Sequence, residues 1–228
     1  MQAVILAGGF GTRLRSVLAD VPKPMAPIHG KPFLAYLIDY LKLQGITEIV
    51  LSVHYLKEQI QAYFETSYDG IAIRYAIEDQ PLGTGGAIVK SLAFVDVSQP
   101  VFVLNGDTFL KMDYQAMMQQ HQAAMSSMTM ALRKLADCSR YGVVFTEGTA
   151  VTAFKEIGSS DAGLINAGVY LMNPQLLKDR VDGEAFSFER DFLFPQISSL
   201  QPQAFITDNY FIDIGVPEDY ARAVSEFV

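Results

Sequence analysis

The sequence predicts an α/β protein, a mixed and mainly parallel sheet with helices on both faces. Three observations predict it. Short apolar runs alternate with amphipathic stretches over the first half of the chain, in the order β-α-β-α-β-α-β. Residues 3–7, 49–53 and 101–104 are apolar almost throughout, the mark of strands buried on both faces of a parallel sheet. Between them, apolar side chains recur at helical spacing: Phe33, Tyr36, Leu37, Tyr40 and Leu41, then Leu56, Ile60, Tyr63 and Phe64. Residues 71–77 alternate and read as a third strand, and 86–94 read as the next helix. The second half is less regular. Residues 128–132, 142–145, 151–154 and 169–172 read as strands, with helical stretches starting near Asp113, Pro174, Ser187 and Pro217. Ser187 ahead of Glu189-Arg190 resembles a capped entry, and Pro217 suits a first helical turn.

The 228 residues carry 25 acidic and 17 basic side chains, a net charge of −8. Half of them are hydrophobic and 18% are charged, which excludes a disordered chain. Such a chain can bury a core without a metal or disulfide staple, and its size favours one domain over 1–228, two small ones being the alternative. The acidic balance argues against nucleic acid and anionic membrane as partners, because both require a basic footprint. Cys138, the single cysteine, excludes an internal disulfide framework and a multi-cysteine zinc site. Residues 1–7 are apolar, but Gly8-Gly9 interrupts them too soon for a signal core, and no run approaches the ~18 apolar residues of a membrane span. A soluble cytoplasmic protein is expected. Phe- and Tyr-rich segments near the C-terminus leave core packing and a homo-oligomer interface both open.

Four segments carry chemistry. Leu6-Ala7-Gly8-Gly9-Phe10-Gly11-Thr12-Arg13-Leu14 follows the first strand, and its glycines let a phosphate or nucleotide approach backbone N–H groups. Leu14 stands where a dinucleotide fingerprint needs its third glycine, and no Gly-Lys-Ser/Thr follows, so neither that motif nor a Walker loop fits. Arg13 and Lys23, the latter between Pro22 and Pro24, are cations of the kind a polyphosphate transition state needs. A Gly-rich turn with two surface cations is the plainer alternative. Asn105-Gly106-Asp107 ends a buried strand, where open α/β sheets bind ligands. Asp213 is embedded in the apolar segment Tyr210-Phe211-Ile212-Asp213-Ile214-Gly215-Val216-Pro217, and a buried carboxylate needs a partner. A Mg²⁺ shared by Asp107 and Asp213 would satisfy both, while a cap or turn role explains either alone. Glu78-Asp79-Gln80-Pro81-Leu82-Gly83-Thr84-Gly85-Gly86 opens a helix, and its glycines either admit a flat ligand or simply join strand to helix.

Taken in order, Gly-Gly-x-Gly-Thr-Arg-Leu, Pro-Lys-Pro-Met, Pro-Leu-Gly-Thr-x-Gly, Asn-Gly-Asp and Asp-Ile-Gly-x-Pro resemble the sugar-1-phosphate nucleotidylyltransferase family over nearly the whole chain. The resemblance implies that family's Rossmann-like nucleotide-diphospho-sugar transferase fold. It also implies a Mg²⁺-dependent transfer of a nucleoside monophosphate from an NTP to a sugar 1-phosphate, with release of pyrophosphate. By the same resemblance Arg13 and Lys23 are catalytic and hold the triphosphate, and Asp107 and Asp213 hold Mg²⁺. Leu6, Ala7, Gly8, Gly9, Gly11, Thr12, Glu78, Pro81, Gly83 and Thr84 would bind the nucleotide. Asn105, Gly142, Lys155, Glu156 and Asn166 would face the sugar phosphate. The details at Lys23-Pro24-Met25-Ala26-Pro27, Leu164-Ile165-Asn166 and residues 211–220 look most like members that use GTP and a heptose 1-phosphate. Mannose 1-phosphate with GTP, or a hexose 1-phosphate with UTP or dTTP, is the alternative.

Glu78 has a reading of its own. An ionised carboxylate only accepts hydrogen bonds, and guanine offers N1–H and N2–H side by side, whereas uracil and thymine flank one N–H with carbonyls. GTP is therefore the expected nucleotide. Two departures from the family pattern stand out. Ile157 occupies the usual lysine position, leaving Lys155 on the same strand face as either the phosphate contact or a solvated lysine. Ser16 replaces a frequent proline. A nucleotide-sugar-dependent glycosyltransferase would carry Asp-x-Asp, which this sequence lacks. A non-catalytic nucleotide-sugar sensor would have little use for Arg13, Lys23, Asp107 and Asp213 together. His29, His54 and His121 are too scattered for a ligand cluster.

Overall fold

The computed structural model describes residues 1–11, 14, 18, 20–155 and 161–227. In chain order, its strands and helices are β1 (Gln2–Leu6), β2 (Pro27–Ile28), β3 (Lys31–Pro32), α1 (Phe33–Leu43), β4 (Glu48–Val53), α2 (Lys57–Phe64) and β5 (Ser67–Tyr68). There follow β6 (Ile71–Ile77), α3 (Gly83–Ser91), β7 (Val101–Asn105), β8 (Thr108–Leu110), α4 (Tyr114–Ala123), β9 (Met128–Leu135), β10 (Val143–Glu147) and β11 (Ala150–Lys155). The last are β12 (Gly163–Met172), α5 (Ile197–Leu200), β13 (Gln203–Thr207), β14 (Phe211–Asp213) and α6 (Pro217–Glu226).

The large sheet runs β10-β11-β13-β9-β12-β7-β1-β4-β6-β5. The expected parallel region is β6-β4-β1-β7, with Val4 paired to Val50 on one side and Val103 on the other. Beyond β7 the sheet turns mixed: β12 is antiparallel to β7 and β9, while β13 is parallel to β9. Both faces of β1 are covered, as its apolar run requires. Ala3 and Ile5 join a core with Leu34 and Leu37 of α1, Ile60 of α2 and Met117 of α4. Val4 joins the opposite core with Ile88 of α3 and with Phe188 and Phe192. The C-terminal aromatics are partly buried and pack against the first of these cores, Phe227 on Phe33, Tyr36, Phe109 and Tyr210.

Capping follows the sequence at two helices. Asp113 accepts the Ala116 N–H ahead of α4, and Pro217 is the first residue of α6. Near Pro174 only a 3₁₀ turn forms, Pro174–Leu177, because just two of its side chains are buried and polar residues follow. Ser187 does cap a helical entry, accepting the Arg190 N–H at 3.2 Å, but the turn it opens, Phe188–Leu193, is π-helical. The strand expected at 169–172 is the end of the longer β12, whose apolar pattern is broken by a register shift between Asn166 and Tyr170 with Gly168 at φ +69°.

Candidate active site

The carboxyl ends of β1, β4, β6 and β7 lie on one side of the sheet, and the loops leaving them build the cleft. Leu6, Gly8, Gly9, Phe10, Glu78, Pro81, Gly83, Thr84, Asn105 and Asp107 line a cavity of about 370 Å³. A second, of about 190 Å³, shares Leu6, Gly9 and Asp107 and adds Gly11, Lys23, Pro24 and Gly215. The first is mainly apolar and suits a base; the second holds the charges. Gly9 has open space where a Cβ would stand, so a ligand can lie on its backbone, and Gly11, at φ +58°, turns the loop against Lys23. Asn105, expected beside the sugar phosphate, lines the first cavity next to Asp107. Ala7 is turned into the core, its N–H on the Ser52 carbonyl. Thr12, Arg13, Ser16, Glu156 and Ile157 lie outside the described residues.

Glu78 is buried, 5% exposed, yet it forms part of the cavity wall. Its Oε1 accepts from Ser52 Oγ at 2.8 Å and its Oε2 from the Leu82 N–H at 3.0 Å. A carboxylate has about four lone-pair sites, so each oxygen keeps one for a ligand. His54 Nδ1 holds the Glu78 carbonyl at 2.8 Å, and Phe10 packs on His54 and Tyr55 at the mouth. The glycines after Pro81 serve packing more than ligand. A Cβ on Gly85 would strike the Phe186 ring and one on Gly86 the Glu184 carbonyl, while the Gly85 N–H donates to Phe186 O. They dock α3 on the segment that leads to the π-helical turn.

The charged centre is assembled from distant parts of the chain. β8 and β14 pair antiparallel with Asp213 opposite Thr108, and the Ile214 N–H donates to the Asp107 carbonyl at 3.0 Å. This register brings Asp107 and Asp213 together. Lys23 Nζ donates to Asp107 Oδ2 and lies 3.5 Å from Asp213 Oδ1. Burial, then the charge of Asp107, hold the Asp213 carboxyl above the ordinary carboxylate range against the pull of Lys23. Two converging carboxylates, already sharing one cation, fit Mg²⁺, which takes one or two protein carboxylates and completes its shell with water and substrate phosphate. No group of three or more His, Cys, Asp or Glu suited to a metal occurs among the described residues.

The described residues expected on the sugar side, other than Asn105, gather around β12. Gly142, just before β10, and Lys155, ending β11, sit in one row: Val143 pairs with Lys155 on one side and Ile165 on the other. Lys155 is exposed. Asn166 donates to Tyr170 Oη and Glu189 Oε1, both at 2.7 Å. The sequence reading missed Ser52, Phe10, Tyr170, Glu189 and Arg140. Arg140 pairs at 2.5 Å with the buried Asp219 of α6, and Tyr141 packs on Phe211 of β14. These contacts strap the loop before Gly142 onto the strand that carries Asp213. Arg140, two residues before Gly142, and Phe10, inside the glycine loop, had a local signal; Ser52, Tyr170 and Glu189 reach the site through contacts that the local sequence does not show.

This fold and this site, a glycine-lined base pocket beside a lysine and two converging carboxylates, define a nucleotidyltransferase. The chain matches the nucleotidyl transferase family over residues 2–227 and belongs to it. It is 46% identical over 226 residues to D-glycero-alpha-D-manno-heptose 1-phosphate guanylyltransferase of Aneurinibacillus thermoaerophilus, covering 99% of this chain and 98% of that one. The protein of the same name in Campylobacter jejuni is 48% identical over 221 residues, 96% of this chain and 97% of its own. Among solved structures, HddC from Yersinia pseudotuberculosis complexed with GMP-PN matches with a TM-score of 0.88 and 38% identity, over 100% of this chain and 99% of that one.

Proposed function

We propose that the chain transfers GMP from GTP to D-glycero-α-D-manno-heptose 1-phosphate, giving GDP-heptose and pyrophosphate. The observation that carries this reading is Glu78, an acceptor-only carboxylate fixed in the wall of the base pocket with a lone pair left on each oxygen. It complements the two adjacent donors of guanine. The names of the relatives at 46% and 48% identity support the heptose.

In the proposed step a phosphate oxygen of the sugar attacks the α-phosphorus of GTP, and the bond from that phosphorus to the bridging oxygen of the β-phosphate breaks. The electron pair leaves with pyrophosphate. The second pKa of a phosphate monoester is ~6, so the nucleophile is already anionic at pH 7 and needs no general base. The chain's work is positioning and charge neutralisation. In this reading Lys23 and Arg13 bind the triphosphate, Leu6, Gly8, Gly9, Gly11 and Thr12 serve the nucleotide, and Pro81, Gly83 and Thr84 serve the base. Gly142, Lys155, Glu156 and Asn166 are assigned to the sugar phosphate. Asp107 and Asp213 would hold Mg²⁺, which when bound supplies positive charge to the phosphates. No described helix is long and apolar enough to cross a membrane, and Cys138 is a free thiol, so we place the reaction in the reducing cytosol.

Pyrophosphate release measured across four NTPs and a panel of hexose and heptose 1-phosphates tests the reading. GTP with the heptose 1-phosphate should give the highest kcat/KM. A preference for UTP or dTTP overturns the base assignment. A preference for mannose 1-phosphate selects the second reading, which rests on relatives such as a probable mannose-1-phosphate guanylyltransferase of Arabidopsis thaliana, 36% identical over 96% of this chain and 63% of its own length.

A further inference from the structure

Both amide hydrogens of Asn166 are spent inside the protein, which leaves it no donor for a ligand. Its two amide hydrogens go to Tyr170 Oη and Glu189 Oε1, each at 2.7 Å, and its Oδ1 accepts the Gly168 N–H at 3.1 Å. Tyr170 Oη also donates to Glu189 Oε1. Two of these bonds end on one oxygen of Glu189, Oε1, while Oε2 meets no donor among the described residues. Glu189 is only half-buried, so this second oxygen has access to solvent.

The place of Glu189 is equally specific. It follows Phe188, whose N–H donates at 2.8 Å to Oγ1 of Thr84, a wall residue of the base cavity. Asn166 reaches the opposite wall through Gly168, where an added Cβ would come within 2.5 Å of Asn105 Nδ2. In register, Val169 lies opposite Leu104, so Asn166 projects past the carboxyl end of β7, beyond Asn105. Glu189 is therefore tied to both walls of the cleft, through Phe188 on one side and Asn166 on the other, on a π-helical turn of the kind that recurs at functional sites.

We propose that Glu189 reads the sugar: its Oε2 accepts a ring hydroxyl of the sugar 1-phosphate, while Asn166 and Tyr170 act as positioning residues that hold Oε1. The proposal rests on the reading that this cleft joins a nucleotide to a sugar phosphate. It moves the main sugar contact from Asn166, whose donors are both engaged, to Glu189, one of whose oxygens meets no donor among the described residues.

Glu189→Gln tests it. The amide oxygen can still take the Tyr170 and Asn166 bonds, while the other atom becomes a donor. With Mg²⁺ present, KM for the sugar 1-phosphate should rise about 10-fold or more while KM for GTP stays within about twofold, the loss of one charged hydrogen bond. On a deoxy analogue lacking the contacted hydroxyl, variant and wild type should turn over alike. The proposal is overturned if neither KM moves, or if both rise together as for a merely structural residue. Tyr170→Phe is the second variant, and a normal thermal shift with GTP confirms its fold. It should raise KM for the sugar alone; an unchanged value overturns the positioning role and, where Glu189→Gln does not fold, the proposal. If wild-type protein releases no pyrophosphate with any sugar 1-phosphate, the parent reading fails and this one falls with it.

Discussion

At the scale of single residues, the proposed base choice rests on Glu78 keeping an acceptor on each oxygen for the pocket. Ser52 and the Leu82 N–H hold its oxygens from behind, so Glu78→Gln should keep its place while turning one acceptor into a donor. The amide would then face guanine N–H groups with an N–H of its own. Charged hydrogen bonds are worth ~1.5–3 kcal/mol, so kcat/KM for GTP should fall by about 10- to 100-fold while that for UTP falls less. Competition kinetics with the two nucleotides measures the ratio, and an unchanged ratio would remove Glu78 from base selection. The sequence made this residue legible because it follows a strand just ahead of the Pro- and Gly-rich segment that opens a helix. It could not show Ser52 behind it, a small polar residue in a buried strand with no local signal.

At the scale of elements, α4 is tied to β9 and β12 through a buried histidine outside the cleft. His121, 2% exposed, has Nδ1 at 2.9 Å from Thr129 Oγ1 and Nε2 at 3.3 Å from Asn173 Oδ1. The Asn173 oxygen can only accept, so Nε2 carries the proton and Nδ1 accepts from Thr129, a neutral ring satisfied at both ends. Burial holds its pKa below the ordinary value, partly opposed by Asn173. The unfolded chain therefore binds the proton more readily. The stabilisation is present above pH ~6.5 and is lost as the pH falls through the folded value. His121→Gln should lower Tm at pH 7.5, and the gap to wild type should narrow towards pH 5.5. A gap constant with pH would refute the neutral buried state. Elements of this kind mark how far the sequence could be read. Strands β1, β4, β6 and β7 and helices α1 and α2 were legible because their periodicity is local. β8, β13 and β14 were not, because each is short and exists through a distant partner, as Asp213 does through Thr108. The sequence left the glycines of α3 open between admitting a ligand and joining strand to helix for the same reason: Phe186, which Gly83 and Gly85 meet, lies about a hundred residues away.

At the scale of the whole molecule, a protein of net charge −8 must bind two small polyanions. Among the described residues, the centre alone does not provide the attraction. Lys23 contributes +1 and Asp107 and Asp213 −1 each, so the trio sums to −1. A triphosphate would meet net repulsion there, and the one cation is already engaged. A Mg²⁺ held by the two carboxylates would bring the local sum to +1 and leave Lys23 for the phosphates. Nucleotide binding should therefore depend on the metal before any chemistry occurs. With GTP at ~100 times its Kd and Mg²⁺ present, Tm should rise by about 5–10 °C, the shift expected from ~2.7 kcal/mol in a chain of this size. With EDTA in place of Mg²⁺, most of that shift should vanish. Asp107→Ala sharpens the test, because it brings the metal-free trio to zero charge. The variant should bind GTP more tightly than wild type in EDTA, yet lose turnover when Mg²⁺ is restored. Equal thermal shifts in wild type with and without Mg²⁺ would show that the attraction comes from elsewhere, and Arg13 would then be the cation to examine first.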